Sequence, residues 1–272
     1  MNVLKSLSSI IDMGIFAYLQ SKKEIYLLKN SHLLFSIHYN NRKTKIYLQK
    51  KFGYVDLYIY THGIYEKEII DDIRKELSTE KVMLDIGGNI GQHSLLLSPY
   101  CKEIHAFEPI PEIFNEFQNS IKANNYKNIF VQNLAIGNKK EVKTIYYNAA
   151  NAGASTLIEN NSPGRKINVQ IERLENTLPK NQKFDVVKID VEGYEAVVIL
   201  GNADIFLQNR PIFFMEFCPS LITDEGTHKP KNIVDFFFEN NYKIYSQKLK
   251  KTFFEDSAEI YINDNWVVKP NK

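Results

Sequence analysis

The sequence predicts an α/β fold, a doubly wound and mostly parallel sheet with a helix and a small antiparallel β appendage ahead of it. Three observations predict it. From residue 81 onward, apolar strand-like runs alternate with amphipathic helical ones, which is the pattern of a parallel sheet covered on both faces. A glycine-rich turn, Asp85-Ile86-Gly87-Gly88-Asn89-Ile90-Gly91, joins the first of those strands to a helix. The strand-like runs end in carboxylates, at Asp85, Glu108, Asp190 and Glu216. Ligands of such sheets bind outside the carboxyl ends of the strands, so all four acids should face one crevice.

Composition sets the outer bounds. The 272 residues carry 34 basic and 32 acidic side chains, a net charge of +2, with 44% hydrophobic and 24% charged residues. These values describe a globular chain large enough to bury its own core, and exclude a disordered, fibrous or many-span membrane protein. So small a net charge makes no case for nucleic acid as a partner. Cys101 and Cys218 are the two cysteines, and neither sits in a CxxC or Cys/His cluster. A reducing cytoplasm without a zinc site follows from that usage.

Taken in order, residues 1–20 place Leu4, Leu7, Ile11, Ile15 and Tyr18 three or four apart, the period of one helix face. Asp12 interrupts the apolar run, which is too short to span a bilayer, and no small-x-small cleavage site follows. Such a helix docks on the main domain or on a second subunit, as in a homodimer; contact with a membrane surface is the alternative. Three alternating runs follow, LFSIHY (34–39), TKIYLQK (44–50) and YVDLYIY (54–60). They read as a small antiparallel appendage ending at residue 64. The main domain, 65–272, opens with an amphipathic helix that puts Ile69, Ile70, Ile73 and Leu77 on one face. The strand-like KVMLDIG, EIHAFEP, IFVQNLAIG, FDVVKID and PIFFMEF then alternate with helices through HSLLLSPY, EIFNEFQNSIKANN and PKNIVDFFFENNY. Residues 138–180 are the least regular part, with strand-like VKTIYYN and INVQIE, and the tail offers KIYSQ and AEIYIN as further strands.

The glycine-rich turn is the strongest local signal. Glycine lets the backbone approach a ligand and take positive φ. Glu108 ends the next strand, 21 residues beyond Gly87, where an acid accepts hydrogen bonds from the ribose hydroxyls of an adenosine cofactor. A dinucleotide fingerprint reads GxGxxG and aims a helix N-terminus at a pyrophosphate. Here the glycines are Gly87, Gly88 and Gly91, with Asp85 just before them, and no GxxxxGK[ST] occurs. A carboxylate beside the loop suits a cationic cofactor that has no phosphate. S-adenosylmethionine, with an ammonium and a sulfonium, fits that electrostatic demand better than NAD or ATP.

FDVVKIDVEGYEAV runs an apolar strand into Lys188, Asp190, Glu192, Gly193 and Glu195, and PIFFMEF brings Glu216 to the same edge. Three carboxylates, Asp190, Glu192 and Glu216, are costly to keep ionised together unless a cation or basic group joins them. One of them is then a general base that takes the proton of an attacking hydroxyl. The other reading is a divalent cation held by the three oxygens. Lys188 neutralises one acid, and Glu195 begins a helix, where acids are favoured.

These residues resemble the FkbM-type methyltransferases, a branch of the class I S-adenosylmethionine-dependent enzymes. DIGGNIG is similar to that family's D-[VI]-G-A-N-x-G, with Gly88 in place of the usual Ala. AFEP equals its second motif, NLAIG resembles its third, KIDVEGYE matches its K-I-D-[VI]-E-G-x-E, and Gly153, Ser155, Thr156 and Leu157 resemble its G-x-S-[ST]-L loop. The resemblance implies a Rossmann-like parallel sheet closed by an antiparallel last hairpin, and O-methylation of a hydroxyl on a sugar, glycan or polyketide-like product. It implies that Asp85, Gly87 and Asn89 line the methionine moiety in the turn that also holds Gly88 and Gly91. Glu108 would hold the ribose, Asn133 or Ala135 border the adenine, and Asp190, Glu192 and Glu216 meet the acceptor hydroxyl. His93 opens the first helix within reach of the cofactor carboxylate, a packed histidine being the alternative. Tyr65 and Glu66 precede a helix that lids the cofactor, and His228 lies in a loop near Glu216.

Base methyltransferases place an Asn- or Asp-Pro-Pro-aromatic segment after the fourth strand, where this chain has Asp190-Val-Glu-Gly; a flipped base is therefore not the expected acceptor. Cys218-Pro219 reverses the Pro-Cys order of a cytosine-C5 nucleophile. Two alternatives stand beside the leading one: an NAD-dependent oxidoreductase on the same sheet plan, and a catalytically idle scaffold that keeps the cofactor loop. Heavy use of Lys, Asn, Ile and Tyr points to a bacterial source, where surface-polysaccharide or natural-product hydroxyls are natural acceptors.

Overall fold

The computed structural model describes residues 33–49, 53–147, 165–222 and 229–271. The expected N-terminal helix, with its subunit or membrane contact, the Gly153 to Leu157 loop and His228 lie outside the described residues. Strands β1 (Leu33–Tyr39) and β2 (Arg42–Leu48) form an antiparallel hairpin, followed by α1 (Tyr54–His62) and α2 (Lys67–Glu76). The alternating part runs β3 (Val82–Ile86), α3 (Gln92–Leu97), β4 (Glu103–Phe107), α4 (Pro111–Asn124) and β5 (Ile129–Gln132). Short β6 (Ala135–Ile136), β7 (Glu141–Tyr147) and β8 (Arg165–Glu172) make a separate three-stranded sheet. The chain then continues through β9 (Val186–Ile189), α5 (Glu195–Gly201), α6 (Ala203–Asn209), β10 (Ile212–Phe217) and α7 (Pro230–Glu239). It ends with β11 (Tyr242–Ser246), β12 (Lys251–Thr252) and β13 (Asp264–Pro270).

The main sheet has the order β12-β11-β13-β10-β9-β3-β4-β5. Strands β3, β4, β5, β9 and β10 are mutually parallel, and β13 runs antiparallel to both β10 and β11. This is the expected parallel sheet closed by an antiparallel last pair. The chain starts the sheet in the middle with β3, builds outward through β4 and β5, and returns to the other side at β9. The strand order therefore reverses between β3 and β9, and a crevice opens at that switch point.

Period-two alternation divides the core between the two faces of the sheet. Leu84, Ile86, Val187, Ile189, Phe213 and Met215 pack with α5, α6 and α7 on one face. Met83, Ile104, Ala106, Val186 and Phe214 pack with α2, α3 and α4 on the other. Because β3 is covered on both faces, all five of its residues are buried. The β1–β2 hairpin belongs to the second core: Ile37, Ile46 and Leu48 are sealed into it. Its edge is tied to α4, with the Tyr47 amide donating to Ser120 Oγ and the Lys45 amide to Asn124 Oδ1, both at 2.8 Å.

Two expected strands are corrected. YVDLYIY forms α1, because its buried residues, Asp56 and Ile59, fall three apart. Asp56 Oδ1 accepts the Gln49 amide at 2.8 Å, so the start of the helix satisfies the end of β2. The run alternates like the two before it, and it is too short for period alone to separate helix from strand. In the tail, Ala258–Tyr261 is a 3-10 turn, and the strand lies at Asp264–Pro270. Of the AEIY turn only Ile260 is buried, whereas Asp264, Trp266, Val267 and Val268 are all buried in β13. IFVQNLAIG is also divided, into β5 and β6, at Asn133. Among the described residues no helix is long and apolar enough to cross a membrane.

Candidate active site

The switch point is occupied by the glycine-rich turn. Gly87 has φ +83, and a Cβ there would lie 1.8 Å from the carbonyl oxygen of Asp190. Gly91 has φ +88, and its Cβ would strike the Phe117 ring at 2.1 Å. These two positions admit only glycine, one for the β3–β9 approach and the other for the packing of α4 against the turn. At Gly88 an added Cβ would sit 3.1 Å from Phe117 Cε1, tight but without backbone in the way.

Beneath the turn lies Asp85, with no exposed surface. Its Oδ2 accepts Ser94 Oγ at 2.6 Å, and its Oδ1 faces Lys188 Nζ at 3.6 Å. Asp85 thus supports the turn from below and does not line either cavity. Lys188, also buried, donates to the Gly87 carbonyl at 2.9 Å and to Asp190 Oδ2 at 3.2 Å. Burial opposes its charge, but the neighbouring Asp190, Asp85 and Glu66 prevail and push its pKa up. Burial acts upward on Asp190 as well, yet the Lys188 charge and hydrogen bond hold its carboxyl below the usual range. The two form a fixed, ionised pair between β3 and β9.

On one side of this pair lies a largely apolar cavity of about 660 Å³, counting its open mouth. Ile86, Phe107, Ile110, Ala135, Ile145 and Tyr194 are among its walls, together with the buried Glu108. Glu108 is clamped by two backbone amides, from Ile110 at 2.8 Å and Asn89 at 3.0 Å. Burial nevertheless pushes its carboxyl up to about 7. Asn133 does not reach the cavity: its side chain donates to the carbonyls of Glu108 and Pro109 and braces that corner. Ala135 is in the wall. Ile145 and Tyr194 come from β7 and from the turn before α5, and no motif marked them.

On the other side is a crevice that shares Asn89, Asp190 and Glu192 with the first cavity and adds Tyr65, Glu66, His93, Lys188 and Glu216. Asp190, Glu192 and Glu216 each place a carboxylate oxygen within 4.8 Å of the others. The expected convergence of these three acids is therefore present. Burial, with Asp190 second, pushes Glu192 up to about 9 and Glu216 up to about 8. Glu66 is raised to about 7 for the same two reasons. Glu195 is buried at the start of α5, where it accepts the Gly193 amide at 3.0 Å. His93 is buried, and burial with the Lys188 charge pushes it down to about 4. Its Nε2 has no hydrogen-bond partner and lies 3.6 Å from Glu66 Oε2.

The crevice also collects unusual backbone. Glu66, Asn89 and Glu192 all have φ near +50, a region that is uncommon for glutamate and often marks functional sites. The Glu66 turn is pinned from both sides by Gln92, whose Oε1 accepts the Tyr65 amide and whose Nε2 donates to the Tyr65 carbonyl, each at 2.8 Å. Sequence reading placed Tyr65 and Glu66 near the cofactor but not Gln92, whose role is visible only once α3 and the α1–α2 turn are adjacent.

The family model for the methyltransferase FkbM domain matches residues 85–244, well over half of the chain. The chain belongs to that family. This FkbM-domain protein is 26% identical over 164 residues to "Methyltransferase 1" of Beauveria bassiana, an alignment covering 52% of this chain and 66% of the relative. Among solved structures it is similar to the methyltransferase FkbM from Methylobacillus flagellatus KT, with a TM-score of 0.46 and 13% identity. That likeness covers 70% of this chain and 44% of the other. It is also similar to a precorrin-6y C5,15-methyltransferase from Geobacter metallireducens GS-15, with a TM-score of 0.41, 14% identity, and 75% and 88% of the two chains covered. Both expected family motifs at the switch point, DIGGNIG and KIDVEGYE, fall inside the matched residues.

Proposed function

We propose that the protein is an S-adenosylmethionine-dependent O-methyltransferase acting on a hydroxyl of a sugar, glycan or related small molecule. The observation that carries this reading is the contrast between two adjoining spaces. One has mostly apolar walls with the clamped Glu108, and the other, which shares Asp190 and Glu192 with it, adds Glu66 and Glu216 around one lysine. An adenosine suits the first and a cation suits the second. S-adenosylmethionine, when bound, supplies an electrophilic methyl group on a sulfonium.

The residues present fit that cofactor. Ile86, Ile110 and Ala135 offer an apolar bed for a purine, and Glu108, in the same lining, offers a carboxylate to ribose hydroxyls. His93 offers an unpartnered buried nitrogen toward a ligand carboxylate. Burial leaves Glu192 and Glu216 protonated at neutral pH, and a cationic ligand beside them favours their ionised forms. Either can then hold the proton that leaves an attacking hydroxyl, while Asp190, fixed by Lys188, keeps the local charge negative. Alignment of the two reactants supplies most of the rate.

A second reading gives the three acids a divalent cation, favoured by the 4.8 Å span of their oxygens. Loss of turnover on EDTA treatment, restored by Mg²⁺ or Mn²⁺, identifies that case; full activity in EDTA leaves the carboxylate base. The function itself is tested by labelled methyl transfer from S-adenosylmethionine to a panel of nucleotide sugars, glycosides and cell-surface glycans, read by mass spectrometry. Transfer to a hydroxyl is expected. Transfer to nitrogen or carbon, or none with the cofactor bound, contradicts it.

A further inference from the structure

Beyond the carboxylate crevice lies a wider cleft of about 1380 Å³, again counting its mouth. Glu66 and Glu216 line both spaces, so the cleft opens directly onto the acids. Its walls have a distinct origin. One is built from Tyr58 of α1 and Lys67 of α2, ahead of the family-matched residues; the other is built from Gln247, Lys248, Asn263 and Asn265, after them.

The two walls are joined to each other. Gln247 Nε2 donates to Asp72 of α2 at 2.9 Å, and Lys269 Nζ donates to Glu76 at 2.6 Å. The Gln247 amide also donates to the Asn265 carbonyl at 2.9 Å. The cleft is thus held in shape by contacts between segments nearly two hundred residues apart in sequence, which lowers the ordering cost of binding. Asn265 stands directly opposite Glu216 in the β10–β13 ladder, so the two side chains share one face.

The chemistry of the walls is specific. Side-chain amides both donate and accept, as vicinal hydroxyls do, and Tyr58, held by stacking on His62 and by an edge contact with Tyr65, adds aromatic surface to the wall. The lysines are already engaged: Lys67 with Asp71 at 2.6 Å, Lys250 with Glu68 at 3.8 Å, and Lys248 with the Asn263 carbonyl at 3.2 Å. The three lysines share the cleft with Glu66, Glu68, Glu216 and Asp264, so no surplus of positive charge faces a phosphate there.

We propose that this cleft is the acceptor site and takes a neutral, polyhydroxylated ligand, a glycoside or glycan segment, whose reacting hydroxyl enters between Glu66 and Glu216. The proposal rests on the methyltransferase reading. It deepens that reading by assigning acceptor choice to parts of the chain outside the family-matched residues.

The test uses the full chain, labelled S-adenosylmethionine, and paired acceptors: neutral methyl glycosides and oligosaccharides against sugar phosphates and nucleotide-diphosphate sugars. Wild type is expected to methylate the neutral set. Asn265→Ala and Tyr58→Ala are expected to raise KM for the acceptor about tenfold, with the loss in KM rather than kcat and, for Asn265→Ala, with cofactor affinity and Tm near wild type. Unchanged KM in both variants overturns the proposal, as does transfer confined to phosphorylated acceptors or absent from every neutral one while the cofactor still binds. Failure to bind S-adenosylmethionine at all is a different result, and removes the methyltransferase reading itself.

Discussion

The two spaces that meet at Asn89 and Asp190 are built in opposite ways. The apolar cavity is made of strand ends and a glycine turn, and the acid that it does not share with the crevice, Glu108, is clamped by two backbone amides. The carboxylate crevice is made of side chains carried on left-handed backbone at Glu66, Asn89 and Glu192, and its acids crowd one another. In the first, burial raises the clamped Glu108 to about 7. The second holds Glu192, Glu216 and Glu66 at raised pKa values, a cost that a bound cation relieves. The contrast separates binding by shape from binding by charge, and each half can be broken by itself.

The largest effect is expected where the halves join. Gly87→Ala puts a methyl group 1.8 Å from the Asp190 carbonyl and on a φ of +83. It should force β3 and β9 apart, cost more than about 3 kcal/mol of stability, and abolish cofactor binding; thermal unfolding and calorimetry measure both. Gly88→Ala, one residue on, should change Tm by no more than a few degrees, because only the edge of Phe117 must give way.

The charged half comes next. Asp190→Asn keeps the shape of the crevice and removes one of the two carboxylates paired with Lys188, leaving Asp85. Turnover should fall about 10²-fold or more while the cofactor still binds; wild-type kcat in that variant would remove Asp190 from the reaction. In the apolar half, Glu108→Gln should weaken cofactor binding about tenfold and leave kcat at saturation close to wild type. A kcat loss equal to that of Asp190→Asn would erase the distinction between the halves.

The smallest effect is one of pH on stability. An acid whose pKa is higher in the folded state than in the unfolded chain binds more protons when folded. Its contribution to stability therefore falls as pH rises from the unfolded value, near 4.5, through the folded value, about 9 for Glu192 and about 8 for Glu216, and is constant above that. The Tm of the unliganded protein should decline over this window. The decline should be shallower in Glu192→Gln.

The same contrast explains what the sequence reveals. The parallel sheet, the switch point, Glu108, and the convergence of Asp190, Glu192 and Glu216 were legible because each follows from a strand end or a glycine turn, features of local order. The roles of Gln92, Tyr194 and Ile145 were not, since each depends on which elements become neighbours. The sequence reading sets Asp85 along the methionine moiety, whereas its side chain lies beneath the turn, bonded to Ser94 and facing Lys188, partners that only the assembled fold brings together. The run at 54–60 reads as a strand because it alternates and follows two strand-like runs at hairpin spacing. What fixes the helix there is a buried aspartate bonded to the Gln49 amide.

The central claim is that the crevice is built for a cationic methyl donor. Calorimetric titration of the full chain with S-adenosylmethionine, S-adenosylhomocysteine and NADH, at pH 7 and pH 9, tests it most directly. The sulfonium favours ionised Glu192 and Glu216, so its binding should release protons and tighten as pH rises. The homocysteine product lacks that charge and should gain less. The predicted result is one site per chain for both adenosyl ligands, weak or no response to NADH, and a ratio of S-adenosylmethionine to S-adenosylhomocysteine affinity that grows severalfold from pH 7 to pH 9. Tight NADH binding with no response to either adenosyl ligand would contradict the account.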